Sequence, residues 1–117
     1  MKLFLDDLRE PASCSDYMQE RGLKDKFLYI DQDWVIIRNY EDFVDFIDKC
    51  EEFPSLVSFD HDLGEEKSGY DCLVYLCAFC LRKEKQLPTF IFHTNNPVGR
   101  DNMQSFASFM TRWFTKN

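Results

Sequence analysis

Apolar residues in this chain gather in short runs that stop at polar residues, and longer stretches with helical spacing lie between those runs. Lys2 to Leu5 predicts a first strand that ends abruptly at Asp6 and Asp7. Trp34 to Arg38 predicts a second strand. Ser55 to Phe59, set off by Pro54, predicts a third that exits into Asp60, His61 and Asp62, and Thr89 to Phe92 predicts a fourth that exits into His93. Behind Asn39, a residue suited to capping, Phe43, Phe46, Ile47 and Cys50 recur at i, i+3, i+4 and i+7 and predict an amphipathic helix. Gly64 and Gly69 frame a polar loop before a helix from about Tyr70 to Lys83, after which Pro88 resets the chain for the fourth strand. Met103, Phe106, Met110, Trp113 and Phe114 form an apolar stripe along a last helix from Arg100 to Phe114. From Pro11 to about Lys26 the chain predicts a short helix that Gly22 can cap. Phe27 to Ile30 then reads either as an edge strand or as one arm of a hairpin closed around Asp31 and Gln32.

This alternation of strands with crossover helices predicts an α/β fold with a mainly parallel sheet covered on both faces. The 117 residues hold one domain, residues 1–117. Hydrophobic residues at 44% and aromatics at 16%, with four glycines and four prolines, give the composition of an ordered chain. Acidic residues outnumber basic ones by 21 to 14, for a formal charge of -7, and no basic cluster stands out. That balance excludes non-specific duplex DNA and anionic membranes as partners. It also means that a phosphate held among these carboxylates needs a cation between them.

The five cysteines are Cys14, Cys50, Cys72, Cys77 and Cys80. The odd count, and a strand that opens at residue 2 with no leader before it, predict free thiols in a reducing cytoplasm. Cys77 and Cys80 form a C-x-x-C, but the register of LVYLCAFCL puts Leu73, Leu76, Cys77, Cys80 and Leu81 on one helical face. Core packing accounts for that spacing better than redox or zinc chemistry does. No apolar run is long enough to span a bilayer.

Open parallel sheets build their sites at the carboxyl ends of the strands, which is where Asp6, Asp7, Asp60, His61, Asp62 and His93 fall. Carboxylate oxygens and water suit a hard divalent ion such as Mg2+ or Mn2+, which also relieves the mutual repulsion of the acids. His61 and His93 are groups that can move a proton near neutral pH. The segment after His93 offers Thr94, Asn95, Asn96 and Arg100, a hydroxyl, amides and a guanidinium suited to phosphate oxygens. Arg9 either joins that set or anchors the first loop to Asp6 or Asp7.

The pattern LFLDDLR, followed by SFDHDLG, resembles the response-regulator receiver domain. Asp6 and Asp7 match the acidic pair after strand one of that family, and Asp60 matches its phosphoacceptor. The resemblance implies that the three acids surround magnesium. The chain departs from an ordinary receiver in two places: His93-Thr94 replaces the small hydroxyl residue that directly ends strand four, and no fifth strand bearing the receiver lysine follows the last helix. The fuller set LFLDDLRxP, SFDHDLG, GYD and HTNNPVGRDNM resembles the cyclic-phosphate processing receiver domains, a derived branch, from Lys2 to Met110. That likeness implies a three-layer, flavodoxin-like receiver fold in reduced form. It also implies metal-assisted processing of cyclic phosphates, with histidines added to the receiver acids.

The leading expectation is a metal-dependent phosphoesterase that acts on a cyclic phosphate in a nucleotide or RNA end. In it, Asp6, Asp7, Asp60 and Asp62 hold Mg2+ or Mn2+. His61, His93 and Asp60 carry the chemistry, and Thr94, Asn95, Arg100 and Arg9 hold the phosphate. The alternative is a non-catalytic receiver-like module that binds metal or phosphate and signals to a protein partner. A conventional phosphorylated receiver, motivated by Asp60, is a third reading. An acidic decoy is a fourth, and it is poorly supported because the acids are dispersed.

Overall fold

The computed structural model describes residues 1–14, 29 and 33–116. The strands are β1 (Lys2–Leu5), β2 (Trp34–Ile37), β3 (Leu56–Phe59) and β4 (Thr89–Phe92), and the long helices are α1 (Tyr40–Lys49), α2 (Gly69–Lys83) and α3 (Pro97–Lys116). Residues 11–14 and Tyr29 are also helical. The expected helix end at Gly22 and the hairpin turn at Asp31 and Gln32 lie outside the described residues. Within Phe27 to Ile30 only Tyr29 is described, and its helical backbone departs from the extended reading.

All pairings are parallel, in the order β2-β1-β3-β4. Leu5 stands between Ile37 and Phe59, and Phe59 faces Phe92 on its other side. This is the start of the flavodoxin-like order, and among the described residues α3 follows β4 with no fifth strand after it. The protein is therefore a reduced three-layer receiver fold, as the resemblance implies; the pattern of elements by itself predicts the parallel sheet.

Alternation along the strands divides the core in two. Leu3, Leu5, Ile37, Val57 and Phe59 point to one face, where Phe43 and Ile47 of α1, Leu73, Leu76 and Cys77 of α2, and Met103 and Met110 of α3 cover them. Phe4 points to the other face and packs with Cys14, Tyr29 and Trp34. Leu81 departs from the predicted face of α2 and is 43% exposed, whereas Cys77 and Cys80 are buried. All five cysteines are free thiols, and burial pushes Cys77 up to about 12 and Cys80 up to about 11, which keeps both protonated at neutral pH.

The helix starts are chemically specified. The Asn39 side chain accepts the Asp42 N–H at 2.8 Å, and Asp71 accepts the Ser68 N–H at 2.8 Å in a capping box. α3 starts at Pro97, ahead of the Arg100 that the apolar stripe indicates, because proline fits the first helical position and Asn96 Oδ1 accepts the Gly99 N–H at 2.9 Å. No described helix is long and apolar enough to cross a membrane.

Candidate functional site

The sheet register sets the site. One residue beyond the strands, the ladder continues: Asp6 N–H donates to Ile37 O at 3.1 Å, Asp60 N–H to Leu5 O at 2.9 Å, and His93 N–H to Phe59 O at 3.1 Å. Asp6, Asp60 and His93 thus stand side by side at the carboxyl edge. By strand alternation their side chains share a face with Phe4, Ser58 and Ile91.

Asp6 is fully buried and saturated. Its Oδ1 accepts the backbone N–H groups of Leu8 at 2.9 Å and Arg9 at 2.8 Å, and its Oδ2 lies 2.8 Å from Arg9 Nε and 3.1 Å from His93 Nε2. Burial pushes this carboxyl up, but the His93 bond, the two backbone N–H groups and the Arg9 charge outweigh it and hold Asp6 well below the ordinary carboxylate range. Arg9 also stands 3.6 Å from Asp60 Oδ1, so one guanidinium bridges two acids. Of the two roles expected for Arg9, the anchoring one is visible. Arg38, which the sequence offers only as the end of a strand, staples the same loop by donating to Asp6 O at 3.2 Å and Arg9 O at 2.7 Å.

Asp60 is also buried, and its carboxyl is raised by that burial and by the Asp6 charge, against the opposing pull of His93, Arg9 and a hydrogen bond from Thr94. Thr94 is 1% exposed, and its Oγ1 accepts the Asn96 N–H at 3.1 Å, so the hydroxyl is built into the wall of the site. Asp7, by contrast, is half-buried and has no hydrogen bond or ion pair among the described residues. Gly64, at φ +68, lies against it, and a Cβ there would stand 3.1 Å from Asp7 Oδ2.

Asp6, Asp7 and Asp60 each bring a carboxylate oxygen within 4.8 Å of the others. An all-oxygen set with one unpartnered carboxylate fits a hard divalent cation. Asp62 is not part of this cluster. A second group, Asp6, Cys14 and His93, is equally close, but burial pushes the Cys14 thiol up to about 12 and both His93 nitrogens are hydrogen bonded. That group reads as core.

The two histidines, which look alike in sequence, have opposite surroundings. His93 is completely buried and stacks on Phe4 with centroids 4.3 Å apart. Its Nδ1 is 2.6 Å from Ser58 Oγ, which is 2.8 Å from Tyr29 OH. Burial pushes the imidazole down, toward its neutral form, against the pull of Asp6. His61 instead keeps 21% of its side chain exposed, with Nδ1 2.9 Å from Asp62 Oδ1. Asn96 Nδ2 donates to the other Asp62 oxygen at 3.2 Å. The His61 bond and the Asn96 bond lower the Asp62 carboxyl. His61 Nε2 has no hydrogen-bond partner among the described residues. Its ring lies on Gly99, where a Cβ would come within 2.4 Å of His61 Cγ.

Of the expected phosphate contacts, Asn95 is exposed and has no hydrogen bond among the described residues. Arg100 donates from Nη2 to Thr94 O, while its buried Nε has no partner. Arg100 also lines a cleft of about 990 Å³ that runs along β4 between Tyr29 and α3 and contains none of the clustered acids. The acidic cluster sits at the carboxyl edge and not in that cleft. Sequence reasoning missed Ser58, Tyr29, Arg38 and the capping role of Asn96. Only Ser58 left a trace, as a polar residue inside an apolar strand.

A search of curated proteins finds no match. Among solved structures, a chain described as the yeast Spc42 trimeric coiled coil, amino acids 181–211, fused to another structure, is 15% identical, with 99% of this chain and 81% of that chain covered and a TM-score of 0.49. A likeness that loose informs neither fold nor function. Residues 1–108 match the family profile of the Cyclic-phosphate processing Receiver domain, so this chain, with its receiver acids and its shortened sheet, belongs to that family.

Proposed function

We propose that the domain is a receiver-like module that holds Mg2+ or Mn2+ on Asp7 and Asp60, with Asp6 behind them, and docks a cyclic phosphate of a nucleotide or RNA end against that ion. The observation that carries this reading is the Asp7 carboxylate, which has no partner among the described residues, beside Asp60 within a group of three acids whose oxygens lie within 4.8 Å of one another. The family description supplies the cyclic phosphate. With a formal charge of -7, the chain attracts such an anion only through the cation, aided by Arg9 and by Thr94 in the wall of the site.

Hydrolysis is the second reading, and the His61–Asp62 pair favours it. A bound divalent ion supplies a Lewis acid for the phosphoryl group and lowers the pKa of water. The 2.9 Å bond from His61 Nδ1 to Asp62 orients the ring and leaves Nε2 to exchange protons. As water adds to phosphorus and a ring P–O bond breaks, Nε2 takes the proton from water and returns it to the leaving oxygen. His93, enclosed on both nitrogens, does not supply the second acid or base that a two-histidine mechanism needs. That favours binding over turnover.

Phosphorus NMR with Mg2+ or Mn2+ and a panel of 2′,3′-cyclic, 3′,5′-cyclic and dinucleotide phosphates, with Asp60→Ala as control, separates the readings. Metal-dependent broadening or shift of a ligand resonance without product supports the binding module. A product resonance that is absent with Asp60→Ala supports hydrolysis, and the absence of both binding and product removes both readings.

A further inference from the structure

His93 is held in all directions. Phe4 stacks beneath its ring at an interplanar angle of 9°, and Tyr29 meets it edge-on at 6.2 Å. Rotation within the ring plane is fixed by Ser58 Oγ at 2.6 Å on Nδ1 and Asp6 Oδ2 at 3.1 Å on Nε2. The direction of each hydrogen bond follows from the ends of the chain. An ionised Asp6 can only accept, so Nε2 carries the hydrogen. A neutral imidazole then offers its lone pair at Nδ1, and the Ser58 hydroxyl donates to it. Having used its hydrogen, Ser58 Oγ accepts from Tyr29 OH at 2.8 Å. Donation therefore runs one way, from Tyr29 through Ser58 and His93 to Asp6.

We propose that Tyr29 and Ser58 are positioning residues of the acidic site: through His93 they fix the tautomer and ring orientation that hold Asp6 Oδ2, and with it the placement of Asp6 against Asp7 and Asp60. Asp6 Oδ1 is clamped by its own loop, through the Leu8 and Arg9 N–H groups. Among the described residues Oδ2 has two partners, Arg9 Nε and His93 Nε2, and Arg9 is shared with Asp60. The His93 donor is the one partner of Oδ2 that belongs to Asp6 alone. Outer partners of a metal site, here Asp6 behind Asp7 and Asp60 together with the donors that hold it, commonly change metal affinity by about 10–100-fold when removed. Ser58 is itself fully buried, so its loss removes the hydrogen-bond donor of Nδ1 inside the core. The inference rests on the metal-binding reading above for its affinity readout, and not for its tautomer readout.

Nitrogen NMR of the full chain with labelled histidine reads the tautomer directly, and Mn2+ titration followed by electron paramagnetic resonance reads the affinity. The parent is expected to show His93 protonated at Nε2 and bare at Nδ1. Ser58→Ala is expected to shift the His93 nitrogens, leave those of His61 in place, and weaken Mn2+ binding about tenfold. Tyr29→Phe, which keeps the ring and removes only the far donor, should move both readouts the same way by less, and it carries the test should Ser58→Ala not fold. A parent with a protonated, neutral Nδ1 overturns the proposal, as does a folded Ser58→Ala that binds Mn2+ like the parent. If the parent binds no Mn2+, the metal reading fails, and the relay stands or falls on the tautomer and its response to Ser58→Ala.

Discussion

At the scale of single residues, the candidate site holds two histidines with opposite surroundings. His93 directly follows β4 and His61 lies two residues past β3, and among the described residues His61 Nε2 has no hydrogen-bond partner whereas both His93 nitrogens have one. Gly99 is what lets His61 lie where it does, because a Cβ at that position would stand 2.6 Å from His61 Cδ2 and 2.9 Å from Cβ. Gly99→Ala should therefore displace the imidazole from Asp62 and Asn96 without touching the three clustered acids. The expected result is a large change in the His61 ring resonances with Mn2+ affinity unchanged. A His61 spectrum identical to the parent would show that the ring does not depend on that close approach.

At the scale of elements, the end of β4 is tied to the start of α3, so capping and site geometry are coupled there. Asn96 caps α3 through Gly99 N–H at 2.9 Å and also donates to Asp62 at 3.2 Å. Asn39 caps α1 through Asp42 N–H at 2.8 Å, and its own hydrogen bonds stay within that cap. Asn39→Ala and Asn96→Ala should each cost about 1 kcal/mol of stability in urea denaturation. Only Asn96→Ala should also shift the His61 ring resonances, since it removes the amide that donates to Asp62 at 3.2 Å and lies 3.4 Å from His61 Nδ1. If both variants leave the His61 resonances where the parent has them, Asn96 is a cap and nothing more. The sequence made the helices and their apolar faces legible, because 3.6-residue spacing and capping residues are local. The start of α3 was less legible, since Pro97 and Gly99 lie ahead of the first apolar residue on its stripe.

At the scale of the whole molecule, burial of the His93–Asp6 pair makes folding depend on pH. Burial holds folded His93 below its ordinary 6.5, so on acidification the unfolded chain takes up a proton that the folded chain refuses. The stability this gives is fully present above 6.5 and is lost as the pH falls toward the folded value. Asp6, held below its ordinary 3.8, adds a second loss of the same sign at lower pH, whereas Asp60, raised above 3.8, acts in the opposite direction. The metal-free protein should therefore lose stability as the pH is lowered from 7, first through His93. Denaturant midpoints measured against pH should show this slope in the parent and a flatter one in His93→Gln. Equal slopes would mean that His93 is not the group responsible. Bound metal should raise the midpoint, through a stabilisation of about 2.7 kcal/mol at one hundred times its Kd.

The sequence by itself determined the four strands and three long helices, the parallel sheet, the family and the gathering of Asp6, Asp7 and Asp60. Periodicity and capping act over a few residues, and a parallel α/β sheet brings its strand ends to one edge. Only the tertiary structure decided what each group does there. Ser58 and His93 are 35 positions apart, and Ser58 and Tyr29 are 29 apart, so no local pattern links them. Asp60 and Asp62 are near neighbours, yet one joins the acidic cluster while the other turns outward to hold His61. Whether a histidine can exchange a proton is set by its burial and by partners from other strands, and those are fixed only when the sheet register and the helix above it are in place.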